Sequence, residues 1–325
     1  MIITQTPLRI SFLGGGTDFP QFYEKAGGAV ISTAINKYVY VIVKERFDDL
    51  IVVNYSQRET VSDVADIKHE LVREAMRITG VEPGIEITTL ADVPSSGTGL
   101  GSSSTVTVGI LQALYTYQGV IVTAEDLAEQ ACDIELTRCG KPIGKQDQYI
   151  AAHGGLRLIE FLPHDPVKAS SIRIPDKARH ELNRRLMLFF TNRTRASASV
   201  LTEQRNNIGD RHEVLCQLRD MAYAGAACLA KSDLDALGRL MHDGWELKKQ
   251  LATSVSNDEI NALYETARKA GALGGKIAGA GGGGFLLLYC PLDKQDQVRE
   301  ALGHLRELPI GLERDGSKVI VNIRR

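Results

Sequence analysis

The chain has 325 residues and a formal net charge of -2, a length that fits one large α/β unit or two domains of ~100–200 residues each. So balanced a charge gives no sign of a nucleic-acid or polyanion binder. No apolar run approaches the ~18 residues of a membrane span, and the opening MIITQTPLRI lacks the basic-then-apolar order of a secretory signal. A cytoplasmic location is expected, with neither membrane nor nucleic acid as partner. The five cysteines and seven histidines are scattered, without a C-x-x-C pair or an H-E-x-x-H helix, so neither a disulfide framework nor a zinc site is expected.

Residues 8–13 form a short apolar run. The stretch AVISTAINKYVY, ending at Tyr40, reads as a strand and a turn, and VYVIVK (39–44) and IVVN (51–54) as strands rich in β-branched residues. Residues 66–79 place Ile67, Leu71, Ala75 and Ile78 at helical spacing, with Gly80 as the stop. GIEITT (84–89) is a strand, residues 102–118 a helix, and residues 123–139 another helix with Thr123 as N-cap and Asp126 three residues on. From about residue 175 a second half begins: a strand at 185–190, three helical stretches within 198–271, a Gly-rich turn into the buried strand FLLLYC, a helix at 293–303 and a closing strand at 318–323. This order predicts an α+β fold with helices on one face of a sheet and a domain boundary near residue 180.

Glycine is the compositional outlier, at 31 residues. It clusters at 14–16, 97–101, 274–275 and 279–284, the mark of tight turns or of backbone approaching a ligand. The loop PSSGTGLGSSS (94–104) runs into a helix whose unpaired N–H groups and partial positive charge suit phosphate. It lacks the lysine of a Walker A loop and the third glycine of a dinucleotide fingerprint. A formal G-x-G-x-x-G at 279–284 leads into a strand where a dinucleotide site needs a helix, which argues against an oxidoreductase.

Three motifs stand in order along nearly the whole chain: PLRISFLGGGTDFP (7–20), PSSGTGLGSSST (94–105) and KIAGAGGGGF (276–285). Together they resemble the galactokinase, homoserine kinase, mevalonate kinase and phosphomevalonate kinase (GHMP) superfamily. GGGTD, GKQDQY (144–149) and TNRTRAS (191–197) further resemble the D-glycero-D-manno-heptose 7-phosphate kinases within it; L-fucose kinases share G-G-x-T-D. The resemblance implies a two-domain α+β fold, with residues 1–180 like ribosomal protein S5 domain 2 and residues 181–325 ferredoxin-like. It implies ATP and Mg²⁺ as cofactors and phosphorylation of the anomeric hydroxyl of a sugar phosphate. Another sugar 1-kinase, or a non-catalytic sugar or nucleotide sensor, is the alternative, and a homodimer is left open.

By the same resemblance, Asp147 accepts the proton of the acceptor hydroxyl and Arg9 is the cation beside it, stabilising charge that develops on the transferred group. On residue types alone, Asp147 also fits a turn aspartate and Arg9 a surface strand arginine. Pro94, Ser96, Gly97, Gly99, Leu100, Gly101, Ser102, Ser103 and Ser104 would cradle the nucleotide, with Ser103 and Glu135 holding Mg²⁺; Glu135 equally reads as a solvated helix residue. Gly15, Gly16, Thr17 and Asp18 would meet the sugar, although Asp18 also fits the N-cap of a helix over 19–25. Lys145, Arg193, Arg195 and Lys276 are candidates for the acceptor's distal phosphate. Gly281 and Gly282 would belong to a second phosphate-facing turn or to a tight packing turn.

Overall fold

The structure is a computed structural model and describes residues 1–94, 97–193 and 197–323. In chain order its elements are β1 (Ile2–Leu13), α1 (Pro20–Ala26), β2 (Gly28–Glu45), β3 (Ile51–Asn54), β4 (Arg58–Val61), α2 (Glu70–Thr79), β5 (Ile85–Ala91), α3 (Ser102–Gln118) and α4 (Ala124–Cys132). There follow α5 (Gln146–His153), β6 (Leu156–Phe161), β7 (Lys168–Ser171), α6 (Asp176–Arg185), β8 (Leu186–Phe190), α7 (Ser197–Asn206), α8 (His212–Ala230) and α9 (Leu234–Lys248). The chain closes with α10 (Asp258–Lys269), β9 (Gly274–Ile277), β10 (Phe285–Tyr289), α11 (Gln295–Ala301), β11 (Arg306–Glu307) and β12 (Lys318–Asn322).

Two sheets result. The first runs β12-β1-β2-β5-β3-β4, with β6 and β7 attached through the first half of β2. The second runs β11-β8-β10-β9. Every pairing is antiparallel except β3 with β5.

Strand β2 replaces the expected strand and turn by one continuous strand of 18 residues. Pro7 pairs with Tyr38 but Leu8 with Ile35, so Asn36 and Lys37 form a bulge. Before the bulge every residue of β2 is buried, and after it burial alternates. The first half is covered on both faces, the second on one. The helix expected over 66–79 is a 3₁₀ turn at Val64–Asp66 and then α2, which His69 caps and Gly80 ends at φ 67°. Thr123 and Asp126 form the expected reciprocal capping box of α4. Between residues 197 and 271 there are four α-helices where three were expected. The closing strand β12 lies in the first sheet beside β1, although the sequence places it in the second half.

The helices of the second half press onto the first sheet. A Cβ on Gly225 of α8 would come 2.5 Å from Leu13, and one on Gly244 of α9 would come 3.0 Å from the same side chain. These glycines let α8 and α9 approach β1 closely. The shared core, from Leu8 and Ile31 to Leu237 and Met241, fixes the two halves around a cleft. Among the described residues no helix is long and apolar enough to cross a membrane.

Candidate active site

One cleft, enclosing about 920 Å³ with the solvent at its mouth, collects residues from β1, the loop before α3, α5, α9 and the loop between β9 and β10. At its floor Arg9 donates Nε to Asp147 Oδ1 over 2.7 Å and Nη2 to Asp147 Oδ2 over 2.6 Å. This fork-on-fork pair fixes the carboxylate's plane. Arg9 is buried and Asp147 partly open to the cleft, with a side chain 23% exposed. Each carboxylate oxygen keeps a lone pair for another donor. Asp147 sits in the first turn of α5, and the Arg9 amide donates to Leu100 O, which ties β1 to the loop before α3.

Against Arg9 stands the N-terminus of α3: a Cβ on Gly101 would come 3.2 Å from Arg9 Cγ. Its N-cap, Gly101, is left-handed at φ 79° and offers no side chain to the free N–H groups of the first turn. The hydroxyls of Thr98 and Ser102 are buried without a partner among the described residues, yet both residues line the cleft. An unpartnered buried hydroxyl costs about 1–3 kcal/mol. Donors left open at a helix N-terminus point to an oxygen-rich anion. The donor chemistry therefore fits the phosphates of a nucleotide.

Two glycine loops interlock beneath this helix end. A Cβ on Gly99 would stand 2.2 Å from Ala278 O, and one on Gly279 would stand 2.7 Å from Gly99 Cα. Phe285 N donates to Thr98 O over 3.3 Å. The loop at 279–284 is thus a packing partner of the loop at 97–101. Gly279 lines the cleft, but Gly281 and Gly282 do not: the amide of Gly282 donates to Val255 O over 2.8 Å.

Glu135 is fully buried in a π turn, Asp133–Arg138, that continues α4. Ser103 Oγ donates to its Oε1, and Ser104 Oγ and Gln148 Nε2 donate to its Oε2, each over 2.6 Å. Burial raises the Glu135 pKa, while Lys141 and these donors oppose the shift. Ser103 lines the cleft and Glu135 stands directly behind it without exposed surface; a hydroxyl and a carboxylate are hard-oxygen donors of the kind that fit Mg²⁺ completed by phosphate oxygens and water.

Asp18 is buried beside α5. Its Oδ1 accepts from Gly16 N over 3.1 Å, and its Oδ2 accepts from the Gln146 amide N over 3.3 Å and from Gln146 Nε2 over 3.0 Å. It does not cap α1, whose N-cap is Phe19 without a side-chain bond. Burial, then the charge of Asp147, raises the Asp18 pKa. A buried carboxylate so placed gains from further hydroxyl donors.

The other expected residues sort as follows. Gly15, Gly16, Gly97, Gly99, Gly101, Ser102, Ser103 and Ser104 line the cleft. Thr17 is turned away, its hydroxyl bonded to Gly14 O and Ala29 O. Leu100 is buried in the core and Pro94 is exposed. Lys145 lies over the ring of Tyr23, 5.4 Å from its centroid. Arg193 is exposed and paired with Glu259. Ser96 and Arg195 lie outside the described residues. Lys276 is buried behind Gly15, its Nζ 3.4 Å from Ser11 Oγ. Sequence reasoning missed its neighbour Lys248, the last residue of α9, which is 5% exposed and lines the cleft. The signal was there: Leu237, Met241, Trp245 and Lys248 form one helical stripe, and Lys248 ends it where an apolar residue belongs.

Residues 64–155 match the GHMP kinases N terminal domain, and residues 226–305 match GHMP kinases C terminal. Over 315 residues the chain is 31% identical to the D-glycero-alpha-D-manno-heptose 7-phosphate kinase of Campylobacter jejuni, covering 93% of each. It is 26% identical over 335 residues to the bifunctional fucokinase/GDP-fucose pyrophosphorylase of Arabidopsis thaliana, covering 94% of this chain and 31% of that one. The crystal structure of a D-glycero-D-manno-heptose 1-phosphate kinase from Bacteroides thetaiotaomicron matches over the whole of both chains, with a TM-score of 0.83 and 25% identity. Two family domains in sequence, a full-length relative at 31% identity and a cleft of this composition lead to one assignment: the chain belongs to the GHMP kinases.

Proposed function

We propose that the protein transfers the γ-phosphoryl group of ATP to the anomeric (C1) hydroxyl of D-glycero-D-manno-heptose 7-phosphate. The product would be the 1,7-bisphosphate, a precursor of nucleotide-activated heptose for surface glycans. One observation carries the reading: the Arg9–Asp147 pair and the open N-terminus of α3 stand side by side in a single cleft. The heptose kinase from Campylobacter supports the acceptor. The relative from Bacteroides carries a different phosphate position in its name, and we follow the relative closer in sequence.

Bound ATP with Mg²⁺ supplies the phosphoryl group and part of its charge neutralisation, with Ser103 and Glu135 as the protein's contribution to holding the metal. The remaining work falls to this chain. Asp147, oriented by Arg9, takes the proton from the acceptor hydroxyl. Arg9 stabilises negative charge at the reacting centre, and the orphan hydroxyls of Thr98 and Ser102 with the first amides of α3 hold the phosphates. Asp18 accepts hydrogen bonds from sugar hydroxyls. No covalent enzyme intermediate is needed, since such transfer rests on positioning and electrostatics.

A second reading, an L-fucose 1-kinase, is favoured by the similarity to the Arabidopsis protein along nearly the whole chain. Measuring ADP release with heptose 7-phosphate, L-fucose, D-galactose and D-mannose separates the two. Turnover with L-fucose and none with heptose 7-phosphate would overturn the first reading.

A further inference from the structure

Lys248 and Lys276 are both at least nine-tenths buried, on α9 and β9. Removing an ammonium group from water costs several kcal/mol unless an anion replaces the solvent. Among the described residues neither has a carboxylate partner. Lys248 Nζ donates to Gly279 O over 2.5 Å, and Lys276 Nζ has only a long contact to Ser11 Oγ. Burial first, then the charge of Arg9, brings Lys248 down to about 8; burial, then the charges of Lys248 and Arg9, push Lys276 well below its ordinary value. The fold has placed two cations together, and the nearby carboxylates of Asp18 and Asp147 offset their charge only in part, without a direct ion pair to either among the described residues.

Gly15 supplies a second, independent observation. Gly14 must be glycine, because at φ 83° its Cβ would stand 1.9 Å from Ala29 O. Gly15 has no positive φ, and a Cβ there would meet nothing closer than 3.6 Å. Backbone and packing would both tolerate a side chain. The space its absence leaves lies 3.6 Å from Lys248 Nζ, 3.7 Å from Lys276 Nζ and 3.8 Å from Ser11 Oγ. The small cavity behind it is lined by both lysines and by Trp245, whose Nε1 is buried with no acceptor among the described residues. No residue of the 97–104 loop lines that cavity.

We propose that Lys248 and Lys276, across the gap left by Gly15, form a subsite for the phosphate group that the acceptor already carries, and so select a phosphorylated sugar over a free one. The proposal rests on the acceptor named above and deepens it. Phosphate could reach Lys248 from the transferred group, since Lys248 also lines the main cleft, whereas the cavity behind Gly15 is lined by no residue of the 97–104 loop.

The test uses Lys248→Met, Lys276→Met and Gly15→Ala. With heptose 7-phosphate and free D-glycero-D-manno-heptose as acceptors, the ratio of their kcat/KM values should fall about 10–100-fold in each lysine variant. The loss should sit in KM for the phosphorylated acceptor, and Lys248→Arg should restore part of it. Gly15→Ala, which the fold accommodates, should lower the same ratio. An equal loss with both acceptors would overturn the proposal and assign the pair to the transferred group or to the fold. A binding measurement stands apart from the choice of acceptor. With ADP in excess, so that the 97–104 loop is occupied, inorganic phosphate should raise the wild-type Tm and leave that of Lys248→Met unmoved. A wild type indifferent to phosphate, or a variant that still responds, would overturn the subsite even if heptose 7-phosphate is the acceptor. The phosphate response without heptose kinase activity would keep the subsite and reject that acceptor.

Discussion

Ser103 gives its hydroxyl hydrogen to Glu135 over 2.6 Å, joining the first turn of α3 to the π turn after α4. The bond brings together the two residues proposed to hold Mg²⁺, from positions 32 apart in the chain. Glu135 has no exposed surface, so its carboxylate stays buried only because Ser103, Ser104, Gln148 and Lys141 surround it. Replacing it by Gln keeps the shape and removes the charge that attracts a cation. In Glu135→Gln the Mg²⁺ concentration for half-maximal rate at saturating ATP should rise by about tenfold or more. An unchanged Mg²⁺ titration would remove Glu135 from the metal site.

The orphan hydroxyls of Thr98 and Ser102 make a prediction of opposite signs. A hydrogen bond to a charged group contributes about 1.5–3 kcal/mol, so Ser102→Ala or Thr98→Val should raise KM for ATP by about tenfold or more. The same change relieves a buried unsatisfied group in the free enzyme, so Tm should hold or rise. Thermal melting without nucleotide, beside the ATP dependence of the rate, reads both.

Asp147→Asn keeps the shape of the partner of Arg9 but cannot take a proton. Turnover should fall by ~10²–10⁴-fold with ATP binding little changed. Near-normal turnover would show that the carboxylate does not serve the acceptor hydroxyl. Nucleotide binding by calorimetry separates lost chemistry from a distorted cleft.

Gly99→Ala tests the interlock of the two glycine loops. Its Cβ would stand 2.2 Å from Ala278 O at φ 77°, so the backbone has to move. The left-handed conformation alone costs a non-glycine residue about 1–3 kcal/mol. Gly99 O also accepts from Arg9 Nη1, so the shift reaches the catalytic pair. The variant should lose both Tm and kcat, whereas Gly15→Ala should keep its Tm.

The sequence carried β3, β5, β8, β10 and β12, the start of α3 and the capping box of α4, because each depends on neighbours within a few residues, and it left β4, β6, β7, β9 and β11 unread. It carried Arg9 and Asp147 only through motif resemblance, since 138 positions separate a pair that side-chain alternation could not join. Asn36 and Lys37 read as a turn because a bulge and a turn use the same polar residues; only the pairing with β1 tells them apart. Arg193 looked like a phosphate ligand by charge, but nothing in one dimension shows Glu259 beside it. Lys248 was overlooked for the converse reason. In WELKKQ it resembles the solvated end of a helix, and its position on the apolar stripe of α9 outweighs that resemblance.

The buried lysines also set a pH window. Lys248 faces Lys276, Arg9, Asp18 and Asp147; burial first and then the charge of Arg9 push its pKa down, and the carboxylates partly restore it, leaving it at about 8. A sugar phosphate is dianionic above about pH 6. The kcat/KM for a phosphorylated acceptor should therefore be greatest between about 6 and 8 and fall as Lys248 loses its proton, because this parameter reports the free enzyme. Stability should move the other way. The unfolded chain keeps this proton to an ordinary lysine value of about 10.4 while the folded chain releases it near 8. Between those values the unfolded state binds more protons, so stability rises with pH. The cost of the buried charge is fully present below 8 and relieved above it. In Lys248→Met both trends should flatten together. A basic limb of kcat/KM that persists unchanged in that variant would assign the pH dependence to another group.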